Sequence, residues 1–202
     1  TLAQHAGSLG LPTALATNAT LVDGALARRV AAAGFRRVSV SVDGADAETH
    51  DSFRGLQGAF ARAVEGAEHL RVAGVPVQIN VTVARHNVAQ LDAMYDLTQS
   101  VGAVALHVFL LVPVGCGAEL GPQHRLTPED CEQALRWVCQ KQISGELEIR
   151  ATCAPQYVRI AAEYGIQGAR GGCLCGTSVA FLSHRGEVYP CGYLPVSCGN
   201  IR

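Results

Sequence analysis

Apolar, strand-like segments alternate with helix-like segments along the first 150 residues of this chain. The strand-like segments are nearly continuous in apolar residues, which is typical of parallel strands that are covered on both faces. Strands that alternate with helices predict an α/β fold, either a (β/α) barrel or a doubly wound sheet. The predicted strands are 15–17, 38–42, 75–83, 104–112 and 147–150, and the predicted helices are 23–33, 59–73, 88–101 and 127–141.

The helix that begins after Thr127 has the clearest start signal. The Thr127 hydroxyl can cap exposed amides, Pro128 suits the first helical position, and the acids that follow face the positive end of the helix dipole. Cys131 and Cys139 lie on this helix, and we interpret both as packing residues.

The alternation stops after residue 150, where a small second module is predicted to begin. Residues 165–176 are rich in glycine, and the strand-like runs 177–183 and 186–189 flank a turn, which predicts a β-hairpin. Cys173 and Cys191 fall near the open end of this hairpin, a position that suits a metal cluster. The alternative is that both are small buried hydrophobes, since free cysteine is often buried.

Composition excludes several classes of function. The net charge is −1, the sequence pI is about 6.6 and the basic residues are scattered, so nothing favours nucleic acid or a membrane surface as a partner. The sequence shows no signal peptide and no spanning segment, which predicts a cytoplasmic location. Thiols stay reduced in that compartment, so eight cysteines in 202 residues indicate metal binding or redox chemistry rather than disulfides.

Polar residues stand at the carboxyl ends of the predicted strands, where parallel folds bind their ligands. They are Asn18, Ser41, Asp43 and Asn80. Arg54 follows shortly after, and a guanidinium there can hold a carboxylate with two hydrogen bonds. The alternatives are ordinary turns at Asn18 and Asp43, backbone amides satisfied by Asn80, and a solvated loop at Arg54.

Four short segments, taken in their order and spacing, resemble one known family. They are Ser-Val-Asp-Gly at 41–44, His-Asp-Ser-Phe-Arg-Gly at 50–55, Gly-Ala-Phe at 58–60 and Ile-Asn-Val-Thr-Val at 79–83. The series resembles the radical S-adenosylmethionine (SAM) enzymes that carry a C-terminal SPASM or twitch extension. Cys173, Gly186 and Cys191 match the Cys-x(9–15)-Gly-x(4)-Cys signature of that extension.

Within this family the chain looks most like the members that modify tetrapyrroles. The segments that carry this likeness are 111–115, 152–157, 171–191 and 199–202. The resemblance is first to the radical SAM protein of heme d1 biosynthesis, and next to the alternative heme synthase that decarboxylates iron-coproporphyrin. Two alternatives stay open, namely a SPASM enzyme that modifies a peptide, and a non-catalytic module that binds porphyrin or metal.

The resemblance implies a partial (β/α) barrel at residues 1–150 and the start of a SPASM or twitch domain, with its β-hairpin, at residues 151–202. It implies SAM and a 4Fe–4S cluster as cofactors, with a 5′-deoxyadenosyl radical that abstracts hydrogen from a propionate side chain of an iron tetrapyrrole. An electron donor such as flavodoxin or ferredoxin is the implied protein partner.

By match of motif, the resemblance also assigns residues. Ser41, Asp43 and Asn80 become expected SAM contacts, Arg54 an expected partner of the SAM carboxylate, and Asn18 a further contact. Cys153, Cys173 and Cys191 become expected ligands of an auxiliary 4Fe–4S cluster, because soft thiolates suit iron–sulfur iron. Cys175 is a possible substitute ligand, and Cys198 either a reserve ligand or a surface thiol.

The sequence also departs from the family pattern. The Cys-x3-Cys-x2-Cys motif that holds the SAM-binding cluster does not occur in it, so the catalytic residues are unknown, and we expect an internal fragment that does not cleave SAM alone. Cys116 stands where relatives usually carry arginine, and Cys175 where they usually carry glycine. We expect only one of Cys173 and Cys175 to bind, because they lie too close in an extended strand to point the same way. We interpret His107 as a satisfied core histidine rather than an axial iron ligand.

Overall fold

A computed structural model describes residues 1–168 and 173–202. Its centre is one parallel sheet with strand order β1-β2-β3-β4-β5. The strands are β1 Ala14–Thr17, β2 Arg37–Ser41, β3 Val77–Val83, β4 Ala105–Leu110 and β5 Glu148–Thr152. An order that never reverses puts every right-handed crossover on the same face, whereas a doubly wound sheet contains a reversal. The α/β prediction is confirmed, and the order favours the barrel type over the doubly wound one.

The helices are α1 Leu2–Ser8, α2 Gly24–Ala32, α3 Ala47–Arg54, α4 Ala59–Val72, α5 Leu91–Ser100, α6 Cys116–Glu119, α7 Pro128–Ser144 and α8 Tyr157–Glu163. The predicted capping at Thr127 is confirmed, because its hydroxyl accepts from the Asp130 amide at 3.1 Å. Four of these helices, α1, α3, α6 and α8, were not predicted from the sequence. None of the helices in the described part of the chain is long and apolar enough to cross a membrane.

The two faces of the sheet differ in polarity. One face is covered by α2, α4, α5 and α7 and is built from buried aliphatic side chains. Its strand residues include Val38, Val40, Val77, Ile79, Val81, Val83, Leu106, Val108, Leu110 and Ile149. The opposite face, which we call the open face, carries mostly polar residues, and most of these are half-buried or exposed, whereas Gln78 is buried. β2 and β3 alternate between buried aliphatic and polar residues, whereas β4 also carries the apolar Ala105 and Phe109 on the open face.

The hydrophobic core continues past residue 150. Ile160 and Ala161 of α8 are fully buried in the same core as the sheet. On the surface, Glu163 of α8 accepts a hydrogen bond at 2.6 Å from Arg136 of α7, and Arg159 of α8 pairs with Glu132 of α7, which fastens α8 to α7. We therefore propose that the first domain ends after α8 rather than at residue 150.

The predicted hairpin is present, but its strands are short. β6 (Phe181–Leu182) pairs with β7 (Val188–Tyr189) in antiparallel register. The residues before β6 form a tight turn instead of a strand, because the amides of Thr177, Ser178 and Val179 all donate to the Leu174 carbonyl at 3.0–3.1 Å. This turn folds the segment from Cys175 back towards β7. Part of the glycine-rich segment, residues 169–172, lies outside the described residues.

Candidate functional site

A row of four side chains crosses the open face of the sheet. Strand register aligns Ser41 with Asn80, Asn80 with His107, and His107 with Arg150. Neighbouring strands lie about 4.8 Å apart, so aligned residues are direct neighbours. The structure thus brings together Ser41 and Asn80, which the sequence analysis selected as SAM contacts. Asn80 accepts from the Gln78 side chain at 2.6 Å rather than from backbone amides.

Asp43 lies just beyond the end of β2, and its side chain is only 1% exposed. One carboxylate oxygen accepts from the Thr82 amide of β3 at 2.7 Å, and the other pairs with the Arg54 guanidinium. The carboxylate is therefore covered by protein. A ligand at this edge would meet the half-exposed Arg54 side chain before the buried Asp43 carboxylate, and the SAM contact of Asp43 stays a prediction.

Arg54 is the last residue of α3 and does not lie in a solvated loop, so that alternative is wrong. The helix is short, and both of its ends are stabilised. The Asp46 side chain accepts from the Thr49 amide at 2.8 Å, and Gly55 ends the helix in the left-handed region at φ +63°. The Arg54 side chain remains 37% exposed, which leaves guanidinium donors free for a carboxylate.

Three further residues hold the Asp43 backbone, and the sequence analysis missed all of them. His50 Nδ1 accepts from the Asp43 amide at 2.9 Å, and burial lowers the pKa of His50, which keeps the ring neutral for this bond. Asn87 Nδ2 donates at 2.9 Å to the carbonyls of both Asp43 and Thr82. His86 Nε2 lies 3.2 Å from the Asp43 carbonyl. The presence of His50 in the 50–55 motif was the available signal.

Asn18 follows β1 and forms a local turn. Its Oδ1 accepts from the Thr20 amide at 3.2 Å and from the Thr20 hydroxyl at 3.1 Å, as in an Asx turn. The next residue, Ala19, is buried with φ +57°, which fixes the direction of the loop. The side-chain oxygen is engaged, so only the Asn18 amide nitrogen is left for a ligand.

The prediction that His107 is a core histidine with its hydrogen bonds satisfied is wrong. Its Nε2 is buried without a hydrogen-bond partner, and the nearest carboxylate oxygen, on Glu148, is 3.9 Å away. The ring lies on the open face, in the row with Asn80, and not in the helix-covered core. Burial lowers the pKa of His107, since the effect of nearby Glu148 is smaller.

The predicted cluster cysteines meet at the carboxyl end of β5. Cys153 directly follows this strand and adopts φ +58°, an uncommon conformation for a residue with a side chain. Burial raises the pKa of the Cys153 thiol, and the nearby Cys173 and Cys191 raise it further. A hydrogen bond from the Cys175 thiol to Cys191 raises the pKa of Cys175 to about 11. Four thiols, which we call the thiol set, thus lie close together.

Backbone donors also point at two of these sulfurs. The Cys175 amide donates to Cys173 Sγ and the Tyr193 amide to Cys191 Sγ, both at 3.4 Å. The Tyr193 bond lowers the pKa of Cys191. The reason given for separating Cys173 from Cys175 is wrong, because residues two apart in an extended segment share a face. Here the Cys175 thiol lies beside both Cys173 and Cys191.

The thiol set supplies the soft sulfur ligands that iron–sulfur clusters take. In residues 1–168 and 173–202, no three His, Cys, Asp or Glu side chains converge closely enough for one metal ion. A 4Fe–4S cluster is larger than an ion, and its thiolates stand further apart while accepting backbone hydrogen bonds. Cys139 is buried and Cys131 packs against the core, which confirms that both are packing residues. The Cys198 thiol lies 3.7 Å from the Val196 carbonyl.

Comparison with known proteins decides the family. The model of the radical SAM superfamily matches residues 2–98. The chain belongs to the radical SAM superfamily. The match includes Asn18, Ser41, Asp43, Arg54 and Asn80, so all five side chains selected at the strand ends lie in the part of the chain that defines the family.

Two curated relatives of this radical SAM protein are named AdoMet-dependent heme synthase. The one from Methanosarcina barkeri is 43% identical over 214 residues, which cover 100% of this chain and 60% of the relative. The one from Oleidesulfovibrio alaskensis is 41% identical over 214 residues, covering 100% of this chain and 55% of the relative. The chain therefore spans little more than half the length of these relatives.

A solved structure supports the fold of the radical SAM protein. SuiB of Streptococcus suis bound to S-adenosylmethionine superposes with a TM-score of 0.73 at 16% identity, covering 98% of this chain and 48% of SuiB. At this identity the likeness concerns the fold alone. The superfamily implies SAM and a 4Fe–4S cluster as cofactors. The uncharged side chains of Ser41 and Asn80 and the free donors of Arg54 fit the hydroxyl and carboxylate groups of SAM.

Proposed function

We propose that this radical SAM protein takes part in heme formation by oxidative decarboxylation of the propionate side chains of iron coproporphyrin. The observation that carries the proposal is the 43% identity to an AdoMet-dependent heme synthase along the full length of the chain. Two structural observations support it, namely Ser41 and Asn80 side by side on the open face and Cys153 of the thiol set directly after β5.

The chain's own residues would bind and orient SAM. Ser41 and Asn80 offer a hydroxyl and an amide to the ribose or amino-acid part. Arg54 offers a guanidinium to the carboxylate, and Asp43 holds that guanidinium in place while being shielded from ligand itself. Because Asp43 is buried and Arg54 is half-exposed, the charged group that a ligand meets here is the Arg54 guanidinium, and the site should favour an anionic group.

Bound SAM and a reduced cluster would supply a 5′-deoxyadenosyl radical that takes one hydrogen atom from a propionate, after which carbon dioxide and one electron leave and a vinyl group remains. We propose that the thiol set (Cys153, Cys173, Cys175 and Cys191) holds an auxiliary iron–sulfur cluster beside this site. A small electron carrier such as flavodoxin or ferredoxin is the proposed source of the reducing electron.

The proposal places heme before heme d1 as the product, which reverses the order of the sequence analysis. The two relatives reported above are named for heme synthesis, and their identity to this chain extends over its whole length. A radical SAM fold alone does not choose between these products or a peptide, because one fold supports many functions. The product must therefore be measured.

The test uses the protein made from the complete coding sequence, loaded with iron and sulfide without oxygen. It is incubated with iron coproporphyrin III, SAM and a reductant, and the porphyrin is analysed by mass spectrometry. Loss of carbon dioxide and two hydrogen atoms from each reacting propionate is expected. Arg54→Gln is expected to reduce 5′-deoxyadenosine and product together, while Arg28→Gln, on the exposed side of α2, is the matched control.

Two results would contradict the proposal. One is production of 5′-deoxyadenosine with an unchanged porphyrin, which would point to a different substrate such as a peptide. The other is porphyrin binding without any SAM cleavage by the fully loaded protein, which would support a binding module.

A further inference from the structure

The row on the open face continues past the expected SAM contacts. His107 and Arg150 extend the line of Ser41 and Asn80 across two more strands, in direct register. Nothing in the SAM-binding proposal uses these two residues. At about 4.8 Å per strand, they begin where a molecule lying beside SAM on this face would be.

The charges around these residues do not balance. Glu148 is the single carboxylate that pairs with both Arg37, at 3.0 Å, and Arg150, at 3.1 Å. Two guanidinium groups thus share one negative charge, so this group of three side chains carries a net positive charge. The Arg150 side chain is 65% exposed, so most of its donors face away from Glu148 and are free for an anion.

His107 adds a neutral polar group to this positive site. Its Nε2 is buried without a partner and stands 3.9 Å from Glu148, which is too far for a hydrogen bond. A buried polar atom without a partner is costly, so a bound ligand that supplies the partner gains from it. The lowered pKa of His107 means that the ring itself adds no charge near neutral pH.

The site lies between the two predicted cofactors. Asn80, one of the proposed SAM contacts, is next to His107. Cys153 of the thiol set follows Arg150 by three residues, which is roughly 10 Å along an extended strand. A flat, carboxylate-bearing molecule held at Arg150 would reach both. We propose that His107 and Arg150 form a subsite that binds a carboxylate of the substrate, with Glu148 orienting the Arg150 guanidinium.

This inference rests on the proposed function for its substrate class, because the carboxylate is then a propionate of the porphyrin. An arginine fork binds a carboxylate through two parallel hydrogen bonds, whereas an ester offers no negative charge. Recognition should therefore depend on the acid group and not on the porphyrin ring. Arg150→Gln removes the charge, and Arg150→Lys keeps the charge without the fork.

The probe is metal-free coproporphyrin III, whose binding to the loaded full-length protein is followed by fluorescence titration, with its methyl ester as comparison. Arg150→Gln is expected to weaken binding of the acid about tenfold or more, from the 1.5–3 kcal/mol of a hydrogen bond to a charged group. The affinity of Arg150→Lys for the acid should lie between those of wild type and Arg150→Gln, and the ester should bind weakly to every variant. Arg28→Gln is the arginine control, and the melting temperature of each variant shows that it is folded.

A second readout separates positioning from folding. His107→Gln, which keeps a hydrogen-bonding group, should bind the acid better than His107→Leu, at similar stability. Equal affinity of wild type and Arg150→Gln for the acid would overturn the subsite while leaving the porphyrin proposal intact. Equal affinity for acid and ester would overturn it as well. Failure of the wild type to bind either porphyrin would overturn both the subsite and the proposed function.

Discussion

Replacing Asp43 by asparagine tests whether its carboxylate holds the Arg54 guanidinium in place for SAM binding. The introduced amide oxygen would still accept from the Thr82 amide, as the carboxylate does at 2.7 Å, but the Arg54 guanidinium would then face a neutral group. A hydrogen bond to a charged group contributes about 1.5–3 kcal/mol. Arg54 is 37% exposed and water replaces part of the lost pair, so we expect a loss of about 1.5–2 kcal/mol in the free energy of unfolding.

The assay is urea unfolding at pH 7 together with SAM binding by equilibrium dialysis on the loaded full-length protein. Asp92→Asn is the matched control, because the Asp92 side chain is 74% exposed although it pairs with Lys141 at 2.9 Å. An exposed pair of this kind contributes at most about 1 kcal/mol. Asp43→Asn should also weaken SAM binding, since Arg54 loses the partner that holds it, whereas Asp92→Asn should leave binding unchanged.

The reasoning would be refuted by a loss of stability at Asp43 no larger than at Asp92. A stability loss without any change in SAM affinity would refute the second step, and Asp43 would then have a purely structural role.

Three further predictions concern stability. Gly66→Ala would place a Cβ 2.3 Å from the Ala19 carbonyl oxygen, so we expect a loss of about 1–3 kcal/mol in the free energy of unfolding. Gly7→Ala, which has open space around it, should be neutral or stabilising by up to about 1 kcal/mol, and similar values for both variants would contradict this prediction. Thr127→Ala removes a capping box and should cost about 1 kcal/mol in the same assay; no change would show that the cap contributes nothing. Burial lowers the pKa of His50 below its ordinary 6.5, so the unfolded chain takes up the proton first, and stability should be level above that pH and fall as the pH drops through 6.5 and below. His50→Gln should reduce this fall between about pH 7 and pH 5 in denaturation curves, and the rest is expected from His86 and His107, whose pKa values burial also lowers. A slope unchanged by the substitution would show that His50 does not contribute to it.

The sheet could be predicted because its signal is spread over many residues. Five apolar runs separated by helical ones leave few arrangements, and the observed strands lie within or next to the predicted runs. The strand order could not be predicted from the sequence pattern, because barrels and doubly wound sheets show the same alternation of strands and helices. Helix α3 was missed because it has only eight residues, although its Asp46 cap and its Gly55 end were visible in the sequence.

The site was predictable only where a motif named the residue. Ser41, Asn80 and Arg54 were selected from the sequence, and register or pairing now gives them neighbours. The environment of His107 could not be predicted, because an apolar strand of a parallel sheet does not reveal which of its residues face the open side. The covering of Asp43 by Arg54 likewise depends on a helix that the pattern did not show.

The backbone conformation of Cys153 could not be predicted from the sequence either. A positive φ at a residue other than glycine carries no sequence signal, yet it places this thiol near Cys173 and Cys191, which follow it by 20 and 38 residues. Residues this far apart meet because the chain returns after α8 to the carboxyl end of β5.

The measurement that tests this account most directly is the iron and sulfide content of the loaded full-length protein. Replacing Cys153, Cys173 and Cys191 together by alanine is predicted to remove one cluster, about four irons per chain, relative to wild type. Cys198→Ala is the control and should keep all the iron. Unchanged iron in the folded triple variant would contradict the assignment of the thiol set, and with it the proposed auxiliary cluster.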